Sequence, residues 1–335
     1  MHRRTLATVL AVLTALTALT ACGADERDAS KAAGWSYTDG RGTTVNAAAT
    51  PKRIVAQVSA AGALKDFGVR IAGTFGPLTR SDGSVEPEAG SLVPADVTDV
   101  TGSAYGELNL ERLASLKPDL LVSGKYAEFP GLWHLSAEQE KRALEVVPTA
   151  GVLQSGSDLP ATVADYKELA RRLGADVDSA RVKADEQAFE AAAERIKTIG
   201  KRMRAEKRAI LVIGGLPEEY FVVVPARNPD LAYYVEKLGL PIRTPDAPDT
   251  AGGGYFERLS WERADKYQAD ILMWDTRPAS QKPAQLKANP VFAAMPTVAA
   301  DRFVEWDAVA PLSYASYAKI MNKVADQLEA KLAVR

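Results

Sequence analysis

Histidine and cysteine, the side chains that most often bind metals or act as nucleophiles, are scarce in this chain. The 335 residues include two histidines, His2 and His134, and one cysteine, Cys22. Zinc, copper and iron–sulfur centres are built from clusters of these residues, and a disulfide framework needs paired cysteines. The sequence therefore argues against an intrinsic metal centre or cofactor and against any disulfide.

Short motifs of the common enzyme classes are also missing. The sequence contains no Gly-x-Ser-x-Gly, His-Glu-x-x-His, Gly-x-Gly-x-x-Gly or phosphate-loop pattern. The adjacent carboxylates Glu218 and Glu219 would point in different directions, so a solvated turn explains them better than acid–base catalysis. We expect no catalytic residues, and we keep an exported hydrolase as the less favoured alternative.

Charge and length further restrict the class of protein and its domain number. Lys and Arg number 41 against 43 Asp and Glu, which gives a net charge of -2. A nucleic-acid-binding protein would concentrate a basic excess, so we expect no nucleic-acid partner. The length predicts two domains, each with its own core, and nothing in the sequence calls for more than a monomer.

The N-terminus predicts export. Residues 1–4 are basic and residues 6–21 are apolar, but this stretch is too short for a membrane span. It ends in Leu-Thr-Ala-Cys at 19–22, which resembles the lipobox of bacterial lipoproteins. The resemblance implies a signal peptide over 1–21 and lipidation of Cys22 on the outer face of the cytoplasmic membrane. The small and polar residues that follow predict a flexible tether over 22–34. An ordinary signal peptide with an incidental cysteine is the alternative.

Strand and helix patterns alternate from Trp35 onward. They predict an α/β fold of two lobes with mostly parallel sheets, joined by a single long α-helix and separated by a ligand cleft. The predicted limits are 35–157 for the N-terminal lobe, 158–174 for the connecting helix and 175–335 for the C-terminal lobe. The sequence also predicts a hairpin around Asp39-Gly40, a long loop over 76–106 and a helix that begins at Ser260.

An internal repeat supports the two lobes. NLERLASLKPDLLVS at 109–123 aligns without gaps on SWERADKYQADILMW at 260–274, and Glu, Arg and Asp coincide. Each copy predicts a cap, a short helix and a strand. Ligands of open parallel sheets bind beyond the carboxyl ends of strands, so the counterparts Tyr126 and Arg277 should face one cleft from opposite sides.

The order of these segments resembles the substrate-binding lipoproteins of ABC importers, specifically the branch for ferric siderophores, haem or cobalamin. The matching segments are Trp35–Val45, Thr50–Val55, Leu110–Leu113, Leu116–Leu121 and Trp261–Arg263. The resemblance implies two lobes bridged by one rigid helix and a partner permease dimer with its ATPase. It also implies that Glu111 and Glu262 dock onto the permease subunits, whereas a helix dipole would favour the same carboxylates without docking.

A chelated metal needs apolar and aromatic walls with a few polar anchors, and no protein ligands. Iron(III) is thus expected only as part of a bound chelate. The predicted ligand-binding residues, which lie on strand-end loops, are Phe75, Arg80, Tyr105, Tyr126, Tyr220, Tyr255, Trp274, Arg277 and Trp306. We expect those facing the cleft to contribute little to the stability of the unliganded protein, while core packing is the alternative for each aromatic.

Few cationic candidates favour a near-neutral hydroxamate siderophore over a strongly anionic catecholate. Haem and cobalamin remain alternatives of the same family. A structural or adhesive surface lipoprotein is a third possibility, but it would not need the gapless repeat.

The first prediction concerns the anchor. Cys22→Ala should release the protein from the membrane fraction without changing its ligand affinity, because the lipid would be attached to the only thiol in the chain. Fractionation followed by immunoblotting measures this. A variant that stays in the membrane fraction would contradict the lipoprotein hypothesis.

Overall fold

The structure is a computed structural model that describes residues 34–333. The predicted signal peptide, Cys22 and the tether up to residue 33 lie outside the described residues. The first two strands, β1 (Trp35–Thr38) and β2 (Thr44–Ala47), form the predicted antiparallel hairpin around Asp39 and Gly40.

The remaining chain alternates strands and helices, with short 3-10 turns between them. The strands are β3 (Ile54–Gln57), β4 (Ile71–Phe75), β5 (Thr98–Asp99), β6 (Leu120–Lys125), β7 (Thr149–Leu153), β8 (Ile210–Gly215), β9 (Tyr220–Val223), β10 (Phe256–Leu259), β11 (Ile271–Asp275) and β12 (Phe303–Trp306). The helices are α1 (Val58–Asp66), α2 (Leu110–Ser115), α3 (Ala137–Leu144), α4 (Leu159–Arg172), α5 (Ala180–Ala205), α6 (Pro229–Glu236), α7 (Pro283–Leu286), α8 (Pro290–Ala293), α9 (Pro296–Ala299) and α10 (Tyr314–Ala333).

The strands form two five-stranded sheets with corresponding orders. The N-terminal sheet runs β5-β4-β3-β6-β7 and is parallel throughout. The C-terminal sheet runs β10-β9-β8-β11-β12, in which β8, β11 and β12 are parallel whereas β9 and β10 are antiparallel to their neighbours. The two strands of the internal repeat, β6 and β11, occupy the same place in each order. The predicted fold class is therefore confirmed.

Local sequence explains where the helices begin. A polar side chain precedes each of the longer early helices and accepts a hydrogen bond from a backbone N–H of its first turn, which satisfies donors that have no partner within the helix. These capping residues are Gln57 for α1, Asn109 for α2, Ser136 for α3, Asp158 for α4 and Ser179 for α5. The central strands β3 and β8 are buried along their whole length, as expected for strands covered on both faces.

Two helices connect the sheets. The 14-residue α4 follows β7 over most of the predicted connecting helix, and the 26-residue α5 then leads to β8. The long α5 packs along the C-terminal α10, while α4 contacts both α1 and α6. The structure thus contains a long helix between the sheets, and the exact lobe limits given above remain a prediction.

The predicted helix at Ser260 is wrong, because only a 3-10 turn forms at Trp261–Arg263. The Trp261 ring packs against Tyr220 and Phe292, and its indole N–H donates to the carbonyl of Pro217 at 3.1 Å. These contacts hold the segment as one tight turn. The strand β10 immediately before it was not predicted, and the 76–106 loop also contains the short strand β5.

A buried carboxylate joins the beginning and the end of the described chain. Asp66, the last residue of α1, accepts hydrogen bonds from three hydroxyl groups: Ser91 at 2.6 Å, Ser316 at 2.7 Å and Ser313. Ser313 in turn accepts from the backbone N–H of Ser316, so it also caps α10. Asp66 therefore fixes the N-terminus of α10 against a helix of the N-terminal sheet.

The N-terminal hairpin is fixed in a similar way to the edge strand β7. The buried carboxylate of Asp39 accepts from the N–H of Gly151 at 2.8 Å, and Gly40 donates to the Gly151 carbonyl at 2.7 Å. A Cβ at position 40 would come within 2.5 Å of the backbone nitrogen of Leu153. Only glycine permits this approach, so the Asp-Gly turn serves packing as well as reversal of the chain.

The second prediction follows from Asp66. Asp66→Ala would leave three hydroxyl groups without their shared acceptor, and a lost buried hydrogen-bonding partner costs about 1–3 kcal/mol. We expect the free energy of unfolding, measured by urea denaturation, to fall by about 2–3 kcal/mol, in the upper part of that range. The exposed Glu190→Ala on α5 is the control and should change it by less than about 0.5 kcal/mol. Equal stability of the two variants would contradict the role of Asp66.

Candidate functional site

A cavity lies between the two sheets, beside the carboxyl ends of β6, β11 and β12. The N-terminal half contributes residues that follow β6. The C-terminal half contributes residues that follow β9, lie at the start of β10, or lie at and beyond the ends of β11 and β12. The lining residues are Tyr126, Phe129, Trp133, Asn228, Tyr255, Phe256, Arg277, Trp306, Ala308 and Val309. The cavity has a volume of about 120 Å³. Its position matches the general rule for ligand sites in open α/β sheets.

Aromatic rings from both sheets meet at this cavity. Tyr126 packs edge-on against Trp133 at 5.0 Å between ring centroids and against Tyr255 at 5.9 Å. Phe129 stacks on Tyr255 at 5.7 Å with an interplanar angle of 26°. Burial raises the pKa of both Tyr126 and Tyr255, so these hydroxyl groups stay protonated at neutral pH. The walls are therefore apolar rings with neutral hydrogen-bonding groups.

Arg277 is the only charged side chain among the lining residues described above, and it is already paired. Its Nη2 lies 2.6 Å from Oδ2 of Asp275, and its Nε donates to the same carboxylate at 3.0 Å. Burial favours the neutral guanidine, but the adjacent Asp275 carboxylate raises the pKa of Arg277 above its usual value. Because Asp275 is buried, the pair presents donors to the cavity with little net charge.

Trp306 forms one side of the cavity from within the core. The residue is 2% exposed, and its indole N–H donates to Oδ2 of the buried Asp230 at 2.9 Å. Burial raises the pKa of Asp230 to about 6, although the hydrogen bond from Trp306 opposes this shift. Trp306 is thus part of the C-terminal core, whereas Arg277 balances a buried charge.

These two contacts correct one expectation. Cleft residues were expected to contribute little to the stability of the unliganded protein, but truncating Trp306 would empty core volume and leave Asp230 without its donor. Truncating Arg277 would leave Asp275 buried and unpaired. For both residues, loss of stability will accompany any loss of affinity.

A second chamber adjoins the cavity across a shared wall of Tyr126, Phe129 and Trp133. It has a volume of about 360 Å³ and extends to Tyr105 and His134. Tyr105 is 74% exposed at the rim, and its ring lies 5.0 Å from that of His134. Partial burial, followed by the nearby Glu88 charge, raises the pKa of Tyr105.

His134 is held at the inner side of this chamber. Its Nε2 lies 3.6 Å from Oε1 of Glu88, and the same oxygen accepts a hydrogen bond from Gln57 at 2.5 Å. Gln57 is the residue that caps α1. The imidazole is therefore tied to structural groups of the N-terminal sheet.

The structure separates the nine predicted ligand-binding residues. Tyr126, Tyr255, Arg277 and Trp306 meet at the cavity, and Tyr105 lies on the adjoining chamber. Arg80 and Trp274 instead line a different, polar groove of about 690 Å³, where Arg80 pairs with Glu86 at 3.1 Å. Phe75 and Tyr220 are buried in separate hydrophobic clusters and reach none of these spaces.

Several lining residues were not predicted, namely Phe129, Trp133, Asn228, Ala308 and Val309. Phe129 and Trp133 belong to the segment that follows β6, where Tyr126 was already identified. The presence of two further aromatic residues in the same strand-end loop could have identified them as lining residues. Asn228 follows β9, whose antiparallel pairing with β10 the sequence did not reveal.

The two repeat glutamates are both exposed. Glu111 lies in the first turn of α2 and Glu262 in the 3-10 turn after Ser260. Hydrogen bonds from its own backbone N–H and from the Ser260 hydroxyl lower the pKa of Glu262, which keeps its carboxylate charged. Both side chains are thus available to a partner, and the position of Glu111 is also one that a helix terminus favours.

Two observations concern metals and membranes. Within residues 34–333, no three His, Cys, Asp or Glu side chains converge in a way that could hold a metal ion. Over the same residues, no helix combines the length and the apolar character that a membrane span requires.

This architecture is similar to that of known proteins. Residues 55–310 match the family model described as periplasmic binding protein. The ferric-siderophore receptor protein DesE from Streptomyces coelicolor is 31% identical, with a TM-score of 0.81 over 88% of this chain and 98% of the other. No curated protein matches the sequence.

More distant structures share the fold. The siderophore periplasmic binding protein of the fuscachelin gene cluster of Thermobifida fusca is 22% identical, with a TM-score of 0.57 over 84% of this chain and 98% of the other. The petrobactin-binding protein YclQ from Bacillus subtilis is 16% identical, with a TM-score of 0.65 over 88% and 99%. The family match spans most of the chain, and with the two corresponding sheets and the cavity between them it leads to one conclusion: this chain belongs to the periplasmic binding protein family, as a relative of siderophore-binding members.

Proposed function

We propose that this protein is an extracytoplasmic, lipid-anchored binding protein of an ABC importer that captures a ferric siderophore and delivers it to the permease. The observation that carries the proposal is the aromatic cavity between the sheets, whose only lining charge, among the described residues, is compensated by Asp275. The similarity to a ferric-siderophore receptor supports it. The protein acts as a monomer and has a binding role, with no catalytic step.

The cavity chemistry suits a metal that is already wrapped in an organic chelate. Tyr126, Phe129, Trp133, Tyr255 and Trp306 offer flat apolar surfaces, and Arg277 offers a fixed fork of donors. Such a site recognises the outside of a chelate and needs no contact with the metal. Iron(III) would therefore arrive and leave inside its ligand.

Charge favours a hydroxamate type of siderophore. A triscatecholate complex is strongly anionic and would call for several uncompensated cations at the site. Here the guanidinium of Arg277 is shared with the buried Asp275, so the cavity gains little net positive charge. A near-neutral trishydroxamate complex, whose oxygens accept from Arg277 and the Tyr126 hydroxyl, fits this environment better. Haem or cobalamin is the alternative ligand within the family.

The third prediction tests ligand class and site together. In a tryptophan-quenching panel of ferrichrome, ferrioxamine B, ferric enterobactin, haemin and cyanocobalamin, we expect tightest binding to a trishydroxamate. Tyr126→Ala should weaken that binding by about 1–3 kcal/mol, the usual range for a truncated anchor. The double variant Asp275→Asn with Arg277→Gln should do the same, because it removes the cation without leaving a buried charge unpaired.

Arg142→Ala, an exposed change on α3, is the control for these variants. It should leave affinity within about twofold, or ~0.4 kcal/mol. Preferred binding of ferric enterobactin would refute the hydroxamate assignment. If both site variants bound as tightly as the unchanged protein, the ligand would lie elsewhere.

The fourth prediction concerns transport. If Glu111 and Glu262 dock on the permease, replacing both with Ala should abolish uptake of the ferric chelate by cells. Affinity of the purified variant should stay within about threefold, or ~0.6 kcal/mol, because both side chains are exposed outside the cavity.

Replacing the exposed Glu138 and Glu190 with Ala provides the matched control, since it removes the same charge from helix surfaces. This control should keep full uptake. A Glu111/Glu262 variant that still supports uptake, or that loses folding, would favour the helix-terminus explanation instead of docking.

A further inference from the structure

The cavity is too small for the ligand proposed above. Its volume is about 120 Å³, whereas sites for small-molecule ligands usually enclose about 300–1,000 Å³. The adjoining chamber is larger, but the rings of Tyr126, Phe129 and Trp133 stand between the two spaces. The cavity is partly open to solvent, but enclosing a ligand of the usual size requires its aromatic wall to move, and the contacts that hold this wall decide how readily it moves.

One carboxylate connects the aromatic wall to the C-terminal half of the cavity. Glu128, in the loop after β6, accepts from Nη1 of Arg227 at 2.9 Å and from the hydroxyl of Tyr255 at 3.0 Å. Arg227 and Tyr255 both belong to the C-terminal sheet region, after β9 and before β10. The next residue, Phe129, stacks on the Tyr255 ring. Glu128 thus ties the two halves of the cavity together next to its aromatic wall.

The backbone at this contact is adapted to close approach. Gly253 has a φ of 75°, and a Cβ there would lie 3.0 Å from the Phe129 ring and 3.3 Å from Cβ of Glu128. Glycine therefore allows the 249–256 segment to pack directly on the loop that carries Glu128. The same segment positions Tyr255 for its hydrogen bond.

The bonds of Glu128 involve an ionised carboxylate, but solvent reaches its ion pair with Arg227. Partial burial raises the pKa of Glu128, but hydrogen bonds from its own backbone N–H, from Tyr255 and from Ser155, together with the charge of Arg227, leave it below the usual value. The carboxylate is therefore ionised at neutral pH. The Arg227 side chain is 44% exposed, so water and salt ions reach the pair.

We propose that Glu128 is a positioning residue for ligand capture, and that its bonds to Arg227 and Tyr255 form a latch that must open before the cavity can widen to enclose a ligand. The inference rests on the proposed ligand site. It adds a control on access: the latch holds the aromatic wall closed and thereby sets how often the cavity opens.

Hydrogen–deuterium exchange of the ligand-free protein tests the latch directly. In Glu128→Gln, amides in segments 126–133 and 249–256 should exchange about tenfold faster, because loss of the ion pair and weakening of the tyrosine hydrogen bond make local opening more frequent. Arg227→Gln removes only the ion pair and Tyr255→Phe removes only the hydroxyl bond. Each should give a smaller increase at the same two segments.

Salt provides a second readout. Raising the salt concentration from about 0.1 M to 1 M shortens the screening length from about 10 Å to 3 Å. Exchange of the two segments should rise with salt in the unchanged protein and should hardly respond in Glu128→Gln. The control Glu168→Gln, which breaks ion pairs within α4, should leave both segments unchanged.

The experiment uses no ligand, so a failed ligand panel and a failed latch are separate results. Unchanged exchange at both segments in Glu128→Gln would overturn the proposal, and so would an increase spread evenly over the whole chain. If Glu128→Gln does not fold, the local increase and its salt dependence in Arg227→Gln decide the question.

Discussion

Asp66 is the constraint on which the ligand site depends. A cavity between two sheets keeps its shape only if the sheets keep their relation, and this carboxylate fixes the beginning of α10 to the end of α1 through the hydroxyl groups of Ser313, Ser316 and Ser91. The bonds from Ser313 and Ser316 are buried and use no opposing side-chain charge, so salt hardly weakens them. The bonds between α1 and α10 thus form a rigid tie, whereas the aromatic wall of the cavity is held by Glu128 and Arg227, which water reaches. Motion is therefore directed to the loops that line the cavity.

The site combines charged side chains with an apolar interior by pairing the charges. Two ionised groups near the cavity are each placed beside a fixed partner of opposite charge: Arg277 beside Asp275, and Glu128 beside Arg227. Because the partners already compensate one another, a neutral ligand does not have to strip water from an isolated charge when it enters. The price of this arrangement is that the binding residues also stabilise the fold, so affinity and stability cannot be varied independently at Arg277 or Trp306.

The sequence predicted what depends on periodicity and local chemistry. Apolar runs placed most of the strands, capping residues placed the early helices, and the gapless repeat placed β6 and β11 in equivalent positions with Tyr126 and Arg277 at one cavity. It failed where the outcome depends on distant partners. Tyr220 and Phe75 have the same residue type and strand-end position as true lining residues, but the packing of other elements buries them. Trp261 similarly ends a predicted helix after one turn because Tyr220 and Phe292, far along the chain, hold its ring.

The N-terminal hairpin has a consequence for a protein expected to be crowded on a surface. Strand β7 ends the N-terminal sheet and would otherwise offer unpaired backbone groups to a neighbouring molecule. The turn at Asp39 and Gly40 occupies both the N–H and the carbonyl of Gly151, which lies in the middle of that strand. The opposite edge, β5, is only two residues long. The sheet therefore leaves little template for strand addition, which protects against edge-to-edge association at high local concentration.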